Sequence, residues 1–167
     1  MSRDVLHPLL NDLIALQRHL HEAAERQLGA DALAEHWDAR NLLQRLVPRL
    51  ESNAAALGQA LERRGGRVSP LKHGLGALTG IAAGWLDRAR GEHEITRDLR
   101  DDYVVISLVI VSYGVLNAAA AAQDDAQTAD LACDHLDGLV SLLDELRIVL
   151  PEVALREFSL AEDPPDS

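Results

Sequence analysis

The chain has 167 residues, 47% of them apolar but only 3% aromatic, with 27 acidic against 16 basic residues and a formal net charge of −11. That length suits one domain with a sizeable core, and an acidic surface whose one lysine is Lys72 repels phosphate backbones and anionic lipid headgroups, which argues against general nucleic-acid binding. The lone Cys133 leaves no internal disulfide, and MSRDVLHPLLNDLIAL lacks the layout of a signal peptide, so a cytoplasmic protein is expected.

A core of Leu, Val, Ile and Ala points to helix-on-helix packing and an all-α fold. From Asp4 to Leu28, apolar residues at 6, 9, 13, 16, 20 and 23 follow the three-four spacing of an amphipathic helix, with Pro8 in its first turns and Gly29 as a stop. Asp31 is a candidate N-cap for a second helix over about Ala32 to Arg64. Its stripe is Leu43, Leu46, Leu50, Ala54, Leu57 and Leu61, with a kink or split expected at Pro48 and an end at Gly65-Gly66. Leu71 to Arg90 reads as a shorter third helix, where Gly76, Gly80 and Gly84 line one face. GLGALTG lacks the preceding strand of a dinucleotide-binding turn.

Gly91 to Thr96 is a break, and Thr96 or Asp98 is expected to cap the fourth helix. That helix holds the uncharged run Tyr103–Ala122, long enough to cross a bilayer. Ser107, Ser112, Tyr113 and Asn117 interrupt it, acidic pairs flank it, and the other helices are amphipathic. The expectation is therefore a central helix buried by its neighbours, with no membrane. A strand over Tyr103–Val111 is the alternative. Ala126 to Leu150 forms a fifth helix with Leu131, His135, Leu139, Leu142 or Leu143, and Leu146 on one face. Pro151 then opens a short segment over Glu152 to Leu160. Residues 1–160 are thus one helical-bundle domain, and 161–167 an acidic, disordered tail.

Two-metal bundles take a Glu from each of two helices and Glu-x-x-His from each of the other two, because residues three apart share a helical face. This chain contains no Glu-x-x-His. His19 with Glu22, His21 with Glu25, and Glu35-His36 read as surface. Asp130, Asp134 and Asp137 read as a wet face, and Cys133 as a buried, inert thiol. Tyr113 and Asn117, four apart, either bond to neighbouring helices or line a small polar pocket.

The order of helices, with DLIALQRHL (Asp12–Leu20) and VIVSYGVLNA (Val109–Ala118), resembles the YciF-like bacterial stress proteins of the ferritin-like superfamily. The resemblance implies an antiparallel four-helix bundle with an extra short helix in the crossover. Where that family offers metal-binding Glu, this chain has Gln17 on the first helix and Val109 on the fourth; Leu46 and Arg49 stand nearest the second-helix ligands, and Asp134 and His135 nearest those of the last. These departures from the family pattern imply a non-catalytic, ferritin-like protein without cofactor or metal, acting by self-association or a protein partner, with a role in a stress response as the resemblance implies. One alternative is a two-metal oxidoreductase using His19, Glu22, Asp134 and His135. Another is a carrier of small apolar ligands with a pocket at Tyr113, Asn117 and the glycine stripe. A homodimer or other homo-oligomer is expected, formed by the glycine face or the leucine stripes.

Overall fold

The computed structural model describes residues 5–68 and 94–161. Among them there are four long helices and no strand: α1 (Leu6–Leu28), α2 (Trp37–Arg63), α3 (Glu94–Ala121) and α4 (Ala126–Ala161). The expected third helix over 71–90, with its glycine stripe, lies outside the described residues, as does the tail from 162 onward.

Leucine periodicity sets which face each helix buries. On α1, Leu6, Leu10, Leu13, Ile14 and Leu20 are at most 1% exposed, and on α2 Leu43, Leu46, Leu50, Leu57 and Leu61 are fully enclosed. The leucine stripes are thereby largely enclosed by the core, with Leu9, Ala23 and Ala54 half-buried at their edges. α1 and α2 run antiparallel, with His7 Nε2 3.1 Å from the Arg64 carbonyl. α3 and α4 form a second antiparallel hairpin, in which Asn117 Nδ2 donates to the Ala129 carbonyl at 2.9 Å. The hairpins dock α1 on α3 and α2 on α4. Gln17 meeting Tyr113 while Gln27 meets Asp102, and Arg45 meeting Glu145 while Arg64 meets Asp125, make both of those pairings antiparallel. α2 and α3 are consequently parallel diagonals, so the end of α2 and the start of α3 lie at opposite ends of the bundle, about 40 Å apart for helices of this size.

Several boundaries differ from the sequence expectation. Asp31 opens a short 3-10 helix (Asp31–Glu35), and α2 starts only at Trp37. His36, expected on the surface, is 4% exposed at that junction. α2 continues through Pro48 and α4 through Pro151. Both prolines face solvent, where water can satisfy the carbonyl left without its amide partner. Gly65 ends α2 in the left-handed region at φ 74°, with the Gly66 amide returning to the Leu61 carbonyl at 3.0 Å. Asp125 accepts from the Thr128 amide at 3.1 Å and from its hydroxyl at 2.8 Å, and Arg64 Nη1 ties this cap to α2 at 2.8 Å.

Thr96 and Asp98, the expected caps, lie within α3, and amides of its first turn are held from α4. Glu157 of α4 accepts the Ile95 amide at 3.1 Å and the Thr96 amide at 2.9 Å, placing a carboxylate at the positive end of the helix. Glu157→Ala should lower stability by about 1–2 kcal/mol, read by urea unfolding. An unchanged midpoint would show that water replaces the carboxylate at no cost.

The apolar run is helical, which removes the strand alternative, but it is only half enclosed. Among the described residues α3 alone is long and apolar enough to cross a membrane, and 28% of its most apolar window is buried. Ile106 and Val109 are fully buried, whereas Val111 is 65% exposed. The reason is geometric: in a four-helix ring each helix has two neighbours and keeps an outer face, however apolar its sequence.

Candidate functional site

Among the described residues, a hydrogen-bonded polar cluster joins three helices in the bundle interior. Gln17 of α1 donates through Nε2 to the Tyr113 hydroxyl at 2.8 Å. Tyr113 Oη lies 3.0 Å from His135 Nδ1, and the two rings meet edge to face at 5.3 Å between centroids and 86° between planes. Gln17 and Tyr113 are fully buried in the leucine core. Burial pushes the Tyr113 phenol well above its ordinary range, with the Gln17 hydrogen bond opposing it. Burial also lowers the His135 imidazole, with Asp134 raising it and Arg49 lowering it further.

The donation from Gln17 sets the proton order, and these directions agree with it. A protonated Tyr113 hydroxyl accepts from Gln17 and donates to Nδ1 of a neutral His135, whose Nε2 then carries its hydrogen. The cluster is neutral throughout. It presents no carboxylate, and a phenol held in its protonated form is a poor base at neutral pH.

Register brings a fourth polar side chain to the same level. The His7–Arg64 contact sets α1 against α2 so that Gln17 is level with Asn53, and Arg49 lying over Gly138 brings the same level of α2 to His135. Asn53 is 2% exposed. Its Nδ2 and Gln17 Oε1, a donor and an acceptor, have no hydrogen-bond partner among the described residues. Each helix therefore gives one polar side chain to one layer. The sequence reading placed Leu46 and Arg49 at this level of α2 and missed Asn53; its place on the buried stripe, three residues after Leu50, was the available signal.

The residues named for a metal do not assemble. Among the described residues no group of three or more His, Cys, Asp or Glu could hold a metal ion. Glu22 and Asp134 are exposed and His19 is half-buried on α1, while α1 and α4 are diagonal in the bundle, so these residues and His135 do not form a set. His21 instead pairs with Glu25 at 3.5 Å, and Asp130, Asp134 and Asp137 form an exposed face as read from the sequence. Cys133, expected buried, is exposed beside them.

Tyr113 and Asn117 do not form the polar pocket considered from sequence. Asn117 is occupied by the Ala129 carbonyl and Tyr113 by Gln17 and His135, while Ser107 and Ser112 bond back to the Tyr103 and Leu108 carbonyls at 2.7 and 2.8 Å. An open groove of about 440 Å³ between α1 and α2, at Arg18, His21, Glu51 and Gly58, is remote in character: polar-rimmed and on the surface.

No protein-family model matches the chain, and no curated protein is significantly similar to it. A crystal structure of a protein from Xanthomonas campestris pv. campestris is similar to it with a TM-score of 0.78 at 17% identity, over 97% of this chain and 99% of that one. At that identity the likeness is one of fold: an all-helical bundle.

Proposed function

We propose that this chain is a ferritin-like, non-catalytic bundle protein of the cytoplasm, without a functional two-metal site, acting through self-association or a protein partner. Its connectivity supports the ferritin-like part, since two antiparallel hairpins joined by one long crossover is how such bundles are wired. The composition of the polar layer carries the rest. In ferritin-like centres two helices each give one Glu and the other two give Glu-x-x-His. Here α1 and α3 give Gln17 and Tyr113, while α2 and α4 give Leu50 with Asn53 and Ala132 with His135 at the same three-residue spacing.

A two-metal centre does not fit that set. It offers one imidazole, already engaged through Nδ1, and no carboxylate to neutralise the cations' charge. The layer instead joins α1, α3 and α4 by neutral hydrogen bonds, a specifying role that apolar packing alone does not supply. A part in a stress response rests on the sequence resemblance alone and belongs to the same proposal.

Elemental mass spectrometry of protein made in iron- and manganese-supplemented cells tests this reading. Metal well below one ion per chain is expected, and two ions per chain would overturn it.

A further inference from the structure

The outer face of α3 is not used by the core or by the polar layer. Opposite buried Ile106, Val109 and Tyr113, the side chains of Val104, Leu108, Val111 and Val115 are 48%, 36%, 65% and 50% exposed. Ala118 and Ala122 continue the same line in exposed positions. Steps of four and three residues keep these side chains on one face of the helix, as a helix paired with another helix requires. The strip is uncharged over about 27 Å of helix.

Its two halves differ in a self-complementary way. Val104 and Leu108 are bulky, while Gly114, Ala118, Ala121 and Ala122 are small. Arg100, whose side chain is 48% exposed while it holds Asp101, precedes the strip, and exposed Asp124 follows it.

We propose that a second copy of this chain covers the strip, with the two α3 helices antiparallel about a two-fold axis near Val111. The proposal rests on the self-association reading above and names its surface and register. In this arrangement Leu108 meets Val115 of the second copy, Val104 meets Ala118, and Arg100 comes over Asp124. Large side chains thus face small ones, and the charges at the ends are opposite. Parallel pairing would set bulk on bulk and Arg100 on Arg100. Leu136, which shares the α3-facing edge of α4 with Ala129 by its seven-residue spacing, and Val140 one turn further on widen the contact. Isologous pairing of this kind closes after two copies, which suits a protein whose strong net negative charge opposes larger assemblies.

Light scattering on the full-length protein, with Val111→Glu, reads the mass. Disulfide trapping in a Cys133→Ser background, with Val104→Cys alone and combined with Ala118→Cys, reads the register. A dimer is expected that becomes monomeric with Val111→Glu, while its helical circular dichroism and cooperative unfolding are retained and its melting no longer depends on protein concentration. The double-cysteine chain should cross-link and Val104→Cys alone should not, because the two copies of residue 104 stand about 20 Å apart. A dimer that survives Val111→Glu would overturn the surface while leaving self-association intact. Self-cross-linking of Val104→Cys would overturn the antiparallel register. A wild-type monomer would remove both the inference and self-association, and its binding to phosphatidylglycerol vesicles would assign the strip to lipid.

Discussion

Asp102→Asn should make the protein more stable above pH 7, by up to about 4 kcal/mol, and should abolish a fall in stability that the wild type shows between pH 4 and 7. Asp102 is 3% exposed on α3, and its carboxyl is pushed up to about 7, chiefly by burial. A hydrogen bond from Gln27 and the charge of Arg26 act in the opposite direction, while Asp98 and Asp101 add repulsion. In the unfolded chain the same carboxyl titrates near 3.8. Below that pH both states are protonated and the group is neutral for stability. Between 4 and 7 the unfolded chain gives up the proton and the folded one keeps it, so stability falls as pH rises, and above 7 the whole penalty is present. Asparagine removes the charge and offers an amide donor to Gln27 Oε1, which lacks a partner among the described residues, as does Asp102 Oδ2. The measurement is the difference between variant and wild-type urea unfolding free energies from pH 4 to 8, in which every other titrating group cancels. Parallel curves would show that Asp102 is hydrated in solution.

Tyr113→Phe should cost about 1–3 kcal/mol, because it leaves the Gln17 amide and His135 Nδ1 buried without their shared partner. The penalty lies in the orphaned groups rather than in the lost bond. Replacing the whole cluster, with Gln17→Leu, Tyr113→Phe and His135→Leu together, should therefore recover most of the loss. Such a combined variant should also be less uniquely packed, visible as broadened methyl signals, if the polar layer sets the register of the helices. A combined cost equal to the sum of the three single costs would mean that the residues do not act as one cluster.

Much of the fold was legible because three-four leucine spacing on α1 and α2 leaves one solution for what faces inward. Leu13, Leu20, Leu43, Leu50 and Leu57 are buried as that spacing requires, and Gly29 and Gly65 end their helices. α3 was legible only as a helix. Its apolarity on every side carries no periodic signal, so nothing in the run distinguishes buried Val109 from exposed Val111. Pro48 and Pro151 do not divide their helices for a related reason: a proline is tolerated where its orphaned carbonyl meets water, and exposure is a property of the assembled bundle.

The polar layer was half visible. Gln17 and His135 were noticed as residues standing near ligand positions, and Tyr113 as a buried hydroxyl needing a partner. Their meeting depends on contacts 96 and 22 residues apart, set by how the hairpins dock. The Glu157 cap, 62 residues from the amide of Ile95, is hidden for the same reason. Local spacing reveals which face of a helix is apolar; it does not reveal which distant side chain reaches a helix end.

The most direct test of a packed, neutral bundle centre is the proton spectrum of the His135 ring during titration with Mn²⁺, whose unpaired electrons broaden nearby signals. His135 should remain sharp and neutral, with its hydrogen on Nε2, at stoichiometric metal, while exposed carboxylate-rich positions take up only weak, salt-sensitive broadening. Selective loss of the His135 and Tyr113 signals at one or two equivalents would contradict this and place a metal inside the bundle.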